Sequence, residues 1–164
     1  MSKVTKVKPI PAGFHTITPS LLIRDAKSAL DFYHRAFGAE RLDVMYFPDG
    51  EKVAHAQMKI GDSRIFLGEE MPEMGARGPR SLGGSAVQFV LYVQDVDAAF
   101  ERAVKAGATV RMPVADQFWG DRFGSVTDPY GHEWALATHK EDVPPKELER
   151  RSQEFFKQMS TKRD

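Results

Sequence analysis

Residues 118–139, FWGDRFGSVTDPYGHEWALATH, predict a strand, a tight turn and a second strand. Residues 122–127 alternate in polarity and include β-branched side chains, and residues 133–138 form an extended apolar run. Between them stands DPYG (128–131), in which proline presets φ for the second turn position and glycine tolerates the exit geometry. The stretch therefore predicts a rigid β-hairpin.

A repeat with a spacing of about 70 residues organises the rest of the chain. LLIRDAKSALDFYHRAFGA, from Leu21, and LYVQDVDAAFERAVKAGA, from Leu91, share their spacing to within one residue. In each copy an alternating run precedes an aspartate N-cap, a helical apolar stripe and a terminating glycine, at Asp25 and Gly38 and again at Asp95 and Gly107. Extended runs follow each helix, which predicts two βαβββ modules. The predicted strands are residues 15–23, 42–47, 52–60, 64–68, 86–93, 109–114, 122–127 and 133–138.

These patterns divide the chain into five predicted segments. They are a mobile N-terminal arm (1–13), the first module (14–69), a Gly-, Pro- and Met-rich linker or lid (70–85), the second module (86–139), and a C-terminal helix and tail (140–164). The last helix carries an apolar stripe that includes Phe155, Phe156 and Met159. This stripe should dock either on the chain's own sheet, which we favour, or on a second subunit.

Composition excludes several classes of protein. The chain has 164 residues with 23 basic and 23 acidic side chains, so no overall field favours nucleic acid or anionic lipid. It has no cysteine, which excludes disulfides and thiolate chemistry and fits a reducing compartment. No apolar run approaches the ~20 residues that span a bilayer, and no signal peptide is evident. We expect a cytoplasmic protein with no nucleic-acid or membrane partner.

The two faces of the predicted sheets differ in an unusual way. The helix-facing sets are apolar, whereas the opposite sets are mostly neutral hydrogen-bonding groups with few charges. Such a face suits a concave surface that holds a polar small molecule. It could equally be a solvated strand face or a satisfied contact between modules. The residues concerned are Thr16, Thr18, Ser20, His55, Gln57, Gln88 and Tyr92.

Individual side chains suggest chemistry on this face. His55 could exchange a proton near neutral pH, although a lone histidine is more often a structural hydrogen-bonding group. Trp119 could stack on a planar ligand while Asp121 and Arg122 fix its polar groups. Asp121 and Arg122 could equally pair with each other or with neighbouring strands. His132 and His139 show no partner set in the sequence, and no Ser-His-Asp spacing supports nucleophilic catalysis.

The chain resembles a known family at several motifs. The paired modules, the helix starts RDAKSALDFYHRAFGAE and QDVDAAFERAVKAGATV, and DPYGHEWALA resemble the vicinal oxygen chelate superfamily of glyoxalase I, bleomycin-resistance proteins and extradiol dioxygenases. WGDRFGSVTDPYGHEWALATHKED is similar to its PhnB-like branch. The resemblance covers about residues 15–151. It implies an α+β fold in which two βαβββ modules form an eight-stranded sheet curled around a cleft. It also implies a homodimer, either of separate chains or with modules exchanged between them.

The resemblance also implies a metal site that this chain does not reproduce. Metal-using members bind one divalent ion through His or Glu on the first and last strand of each module. The corresponding positions hold Thr18, Gln88, Ala135 and either Ile65 or Leu67. Hydroxyl, amide and apolar groups do not hold Zn²⁺, Ni²⁺ or Fe²⁺ well. We therefore expect no cofactor, with a rearranged site using His55 and Glu69 as the weaker possibility.

These observations favour a glyoxalase- or bleomycin-resistance-like protein that binds a polar metabolite or antibiotic without the usual metal ligands. Its cleft would be lined by Thr18, His55, Gln57, Gln88, Tyr92, Trp119, Asp121 and Arg122. The alternative is a metal-dependent lyase, isomerase or dioxygenase on the rearranged site. A third possibility is a scaffold dimer whose cleft is filled by side chains.

Overall fold

A computed structural model of the chain describes residues 7–161. The described residues form two compact units, which divide between Gly84 and Ser85. The first six residues of the predicted mobile arm lie outside the described residues, and within the described part that follows, residues 7–13 adopt no helix or strand.

The first unit is a four-stranded sheet with a helix on one face. Its elements in chain order are β1 (Ser20–Ile23), α1 (Ala26–Phe37), β2 (Glu40–Tyr46), β3 (Val53–Ile60) and β4 (Ser63–Glu69). The strand order is β1-β4-β3-β2. β1 runs parallel to β4, and the other neighbours are antiparallel.

The second unit repeats this topology. Its elements are β5 (Gln88–Tyr92), α3 (Val96–Ala106), β6 (Thr109–Asp116), β7 (Asp121–Thr127), β8 (Glu133–His139) and a C-terminal helix α4 (Pro145–Thr161). The order is β5-β8-β7-β6, with β5 parallel to β8. The predicted α+β class and the two βαβββ modules are confirmed.

The helix ends form as the sequence predicts. The Asp25 carboxylate accepts a hydrogen bond from the backbone N–H of Ser28, and the Asp95 carboxylate accepts one from Ala98. The N–H of Gly38 bonds to His34 O, and that of Gly107 bonds to Val104 O. These residues satisfy backbone groups that the helix itself leaves unpaired.

The predicted apolar stripe of α1 is buried throughout, together with its neighbour Phe32. It packs with the inward side chains of β1, β3 and β4, which are Leu21, Ile23, Ala56, Met58, Ile60, Ile65 and Leu67. Ile17 and Val87 lie within the predicted strands 15–23 and 86–93, but in the structure they precede β1 and β5, and both are exposed. The predictions of strand at these two positions were wrong.

The second core centres on the hairpin. Trp134, Leu136 and Val126 are fully buried on the face that α3 covers. In the turn, the Asp128 carboxylate accepts hydrogen bonds from the backbone N–H of Tyr130 and of His132 and from the indole N–H of Trp134. The turn predicted from sequence is therefore tied to the core by its own first residue.

The segment after β4 is more ordered than its sequence pattern indicated. It contains a 3₁₀ turn (Pro72–Met74) and a short helix α2 (Pro79–Leu82). Buried Glu70 accepts hydrogen bonds from the guanidinium of Arg24, the hydroxyl of Ser81 and the N–H of Gly78. These contacts fasten the segment to the first unit, and a role as linker or lid stays a prediction.

Helix α4 contacts the turn that precedes β7. The ring centroid of Phe118 lies 5.1 Å from that of Phe155 and 6.4 Å from that of Phe156. Arg151 forms ion pairs with Glu141 and Glu147. Both α4 rings nevertheless remain exposed, so the stripe is covered only in part.

Candidate functional site

The open face of the second sheet, opposite α3, is where the candidate site forms. Side chains alternate across a strand, so the face that lacks Trp134 and Val126 carries Asp121 and Phe123 of β7 and His139 of β8. Tyr92 of β5 lies on the same face because it pairs with Ala137, which in turn pairs with Phe123. Tyr92 is 65% exposed, so its ring is accessible on this face.

Asp121 is the centre of this site. Its side chain is buried, and its Oδ2 accepts hydrogen bonds from the Tyr92 hydroxyl at 2.8 Å and from the Trp119 indole N–H at 3.1 Å. Its Oδ1 lies 2.8 Å from Nδ1 of His139. A carboxylate can accept several hydrogen bonds at once, so this one group orients three aromatic rings.

The electrostatics of the cluster favour a charged pair. Burial by itself raises the pKa of Asp121, but hydrogen bonds from His139, Tyr92 and Trp119 outweigh it, and the pKa falls below its ordinary value. The hydrogen bond to Asp121 raises the pKa of His139, and a second bond to Asp142 adds to this effect. The same carboxylate raises the pKa of the Tyr92 phenol, which keeps the hydroxyl protonated as a donor.

The backbone around Gly120 sets the position of this cluster. Gly120 has φ 100°, and a Cβ built on it would lie 2.2 Å from the carbonyl oxygen of Glu141. Its carbonyl accepts hydrogen bonds from the N–H groups of Lys140 and Glu141. The chain leaving β8 therefore turns back over Gly120, which places Asp142 Oδ1 2.8 Å from Nε2 of His139.

Trp119 is held by ring contacts as well as by its hydrogen bond. Its ring centroid lies 5.1 Å from that of Phe118 and 5.7 Å from that of Phe123, both in edge-on geometry. Edge-to-face aromatic pairs add stability beyond the area they bury. The indole is thus fixed in orientation while remaining partly exposed.

Arg122 lies on the other face and does not join this cluster. Its guanidinium forms two hydrogen bonds of 2.7 Å to the Asp97 carboxylate on α3 and one of 3.2 Å to Asp116 on β6. The alternative in which Arg122 pairs with neighbouring elements is the one observed. Beside it is a small cavity of about 280 Å³, lined by Gln94, Asp95, Val96, Asp97, Arg122, Thr138 and Lys140.

The remaining candidate residues lie outside this cluster, three of them on the sheets and Thr18 just before β1. Gln88 is exposed on the face that carries Tyr92. In the first unit, His55 and Gln57 share the open face of β3, where the His55 ring packs edge-on against Phe66 at 4.9 Å. The Gln57 amide oxygen accepts a hydrogen bond from Arg64 at 3.4 Å. Thr18 lies two residues before β1, so its predicted place within the strand was wrong.

The side chains at the family's metal positions do not fit a divalent ion. Within residues 7–161, no three His, Asp or Glu side chains gather closely enough to hold one. The Glu69 carboxylate instead accepts hydrogen bonds from the N–H groups of Asp25 and Ala26 at the start of α1. His55 points to the opposite face of the sheet, since its strand position alternates with the inward Ala56. The two weaker candidate ligands are therefore not brought together.

Sequence reasoning missed His139 and Asp142. It assigned His139 no partner set, which was wrong. A usable signal was present: pairing outward from the DPYG turn places Asp121 directly opposite His139, as the observed register does. The contact of Asp142 with this ring depends on the reversal over Gly120, which the sequence does not reveal.

Among the described residues, no helix is both long and apolar enough to cross a membrane.

Comparison with known proteins places the chain in a broad group. The family described as the Glyoxalase/Bleomycin resistance protein/Dioxygenase superfamily matches residues 13–136. An uncharacterized protein of Mycobacterium bovis is 44% identical over 136 residues, covering 81% of this chain and 89% of its own. The crystal structure of TioX from Micromonospora sp. ML1 is 28% identical, with a TM-score of 0.61 over 76% of this chain and 98% of that one.

A more distant structure shows the fold alone. The fosfomycin resistance protein FosX from Mesorhizobium loti is 18% identical, with a TM-score of 0.55, and the match covers 76% of this chain and 91% of that one.

Proposed function

Because the chain belongs to the glyoxalase/bleomycin resistance protein/dioxygenase superfamily, we propose that it binds a polar small molecule against Tyr92, Trp119 and Asp121. The ligand is a metabolite or an antibiotic with a planar group. No metal chemistry of the family's usual kind enters this proposal, since the residues at those positions do not suit a divalent ion.

The observation that carries the proposal is the buried Asp121 carboxylate with its three aromatic partners. A buried charge that is paired and hydrogen-bonded is tolerated, but an apolar replacement is often equally stable, so stability alone is a weak explanation for this group. Here it fixes the rings of Tyr92 and Trp119, which both reach the surface. A ligand that stacks on rings held in this way loses little side-chain entropy on binding.

The remaining candidates stay predictions. Gln88 lies on the same face as Tyr92 and can be tested together with it. Thr18, His55 and Gln57 belong to the first unit. We exclude Arg122 from the proposed ligand site, because its guanidinium is hydrogen-bonded to Asp97 and Asp116 on the opposite face.

A fluorescence experiment tests the proposal directly. The chain has two tryptophans, of which Trp134 is fully buried and Trp119 is partly exposed. A library of metabolites and antibiotics is first screened for compounds that raise the melting temperature, because a ligand that binds the native state stabilises it. A hit that binds at the cluster changes the emission of the wild type but not that of Trp119→Phe, in which only Trp134 emits.

The matched variants sharpen the result. Tyr92→Ala and Trp119→Ala should both weaken the binding of a hit, whereas Arg122→Gln, on the opposite face, should leave it unchanged. If no compound raises the melting temperature, or if the hits bind Trp119→Ala and Tyr92→Ala as tightly as the wild type, the proposal is wrong.

The homodimer and the cytoplasmic location expected from the sequence also remain proposals. Sedimentation equilibrium of the full chain checks the first, and fractionation of the native cell checks the second.

A further inference from the structure

We infer that the ligand of the proposed site carries a carboxylate, which binds His139 in the place now taken by the carboxylate of Asp142. This inference rests on the proposed function. The chain thus supplies its own competitor for the ligand. The inference stands on the geometry of His139, which has a carboxylate on each ring nitrogen: Asp121 at 2.8 Å and Asp142 at 2.8 Å.

The two carboxylates are held very differently. The Asp121 side chain is 6% exposed and is bonded to Tyr92 and Trp119 as well. The Asp142 side chain is fully exposed to solvent. Ion pairs at the surface contribute little because water screens them and because side-chain entropy opposes them. Asp142 can therefore be displaced, whereas Asp121 stays in place.

The backbone allows this exchange without refolding. The N–H groups of Lys140 and Glu141 are bonded to the carbonyl of Gly120, and the Glu141 carboxylate is paired with Arg151 of α4. The chain on the β8 side of Asp142 is therefore anchored. Rotation of the Asp142 side chain alone uncovers Nε2 of His139, whose side chain is 52% exposed with Asp142 in its present position.

The chemistry of the vacated position selects an anion. With Asp121 behind it, the imidazole favours the protonated form, and its Nε2–H then points outward as a charged donor. The position already accommodates a carboxylate at hydrogen-bond distance, which is why a carboxylate is the group we assign to the ligand.

The neighbouring rings define the rest of the ligand. Trp119 and Tyr92 are bonded to Oδ2 of the same carboxylate whose Oδ1 accepts the bond from His139, so the two rings and the imidazole meet at Asp121, on the Nδ1 side of His139. Planar apolar groups stack favourably on such rings. The ligand class is therefore a planar, aromatic or unsaturated molecule with a carboxylate at its edge.

The test uses a matched pair of probes, 2-naphthoate and its neutral amide 2-naphthamide, titrated into the full-length protein and followed by NMR. Asp142→Asn removes the competing charge and should bind 2-naphthoate about threefold more tightly than the wild type does, as expected for loss of a weak surface pair. Its control is Asp116→Asn, which makes the same change of charge on an exposed aspartate that contacts Arg122. His139→Gln should bind the two probes equally.

The outcomes separate this inference from the proposed function. If Asp142→Asn and the wild type bind 2-naphthoate equally, or if 2-naphthamide binds the wild type as well as 2-naphthoate does, the inference is overturned while a ligand site at Trp119 stands. If neither probe binds any variant, the inference is overturned as well, and the proposed function is then decided by the library screen alone. If Asp116→Asn and Asp142→Asn gain the same affinity for 2-naphthoate over the wild type, the gain comes from net charge and the inference fails.

Discussion

Nδ1 of His139 lies 2.8 Å from Oδ1 of Asp121 because the two residues are direct partners across the antiparallel β7–β8 pair. Residues directly opposite in a sheet bring their side chains to within contact distance on the same face. Here one of the pair is buried and the other reaches solvent, so the pair links the hydrogen-bonded interior to an accessible surface.

Asp121→Asn should lower the pKa of His139, because the amide removes the negative charge that stabilises the imidazolium. The measurement is an NMR titration of the His139 ring protons. Asp116→Asn serves as the control, since Asp116 contacts Arg122 on the other face of the sheet. An unchanged pKa of His139 in Asp121→Asn would contradict the assigned hydrogen bond.

Stability of the second unit should fall as the pH rises through the pKa of His139. That pKa is raised above its ordinary value of 6.5, so the interaction contributes fully below 6.5 and is lost as the pH passes the raised value. Urea denaturation at a series of pH values across this window should show that the free energy of unfolding of the wild type falls with pH. The same plot for His139→Gln should lack this slope. His55→Gln, in the first unit, is the control and should retain the slope. Equal pH profiles for the wild type and His139→Gln would show that this pair has no energetic role.

Gly120→Ala should destabilise the protein more than Gly50→Ala does. Both glycines have positive φ, but a Cβ at Gly50 meets no atom within 4 Å, whereas one at Gly120 would lie 2.2 Å from Glu141 O. The strained backbone alone costs about 1 kcal/mol, and the clash should add about 2 kcal/mol. Chemical denaturation gives the free energy of unfolding of both variants. If the two variants lose equal amounts of this free energy, the chain after β8 does not pack on Gly120.

Glu70→Ala should release the segment between β4 and β5. The Glu70 carboxylate accepts hydrogen bonds from Ser81, the N–H of Gly78 and Arg24, and these bonds, the one from Ser81 most strongly, lower its pKa to about 2. Limited proteolysis should cut residues 71–84 several-fold faster in this variant. The exposed Glu73 provides the control as Glu73→Ala. Cleavage at the wild-type rate in Glu70→Ala would show that other contacts hold the segment.

Arg122→Gln should reduce stability and leave ligand affinity intact. The guanidinium joins α3 to β7 through two bonds to Asp97, and glutamine cannot reproduce this bidentate geometry. Thermal unfolding and the titration of a library hit are measured on the same sample. A loss of affinity that matches that of Trp119→Ala would return Arg122 to the ligand site.

Much of the fold could be predicted because its signals are local. Asp25 and Asp95 cap helices through the backbone three residues on, and DPYG makes its turn within four residues. Strand limits were less certain. Glu40 begins β2 two residues before the predicted start, and Ile17 and Thr18 lie outside β1, because strand ends depend on the partners that pair with them.

The candidate site was predictable only in part. Tyr92, Trp119 and Asp121 were chosen as candidates by residue type, and alternation placed Tyr92 on the face opposite the helix, as observed. Arg122 was grouped with them because it is next to Asp121 in the sequence. Adjacent strand residues point to opposite faces, and the arginine therefore meets Asp97 of α3.

The sequence by itself determined a duplicated βαβββ chain with its helix caps, its hairpin turn and its apolar helix faces, because each of these depends on residues a few positions apart. Only the tertiary structure decided that one buried carboxylate collects Tyr92, Trp119 and His139, and that Asp142 reaches the same imidazole over Gly120. Such contacts are set by strand register and by the close packing of distant backbone, which no single stretch of sequence encodes.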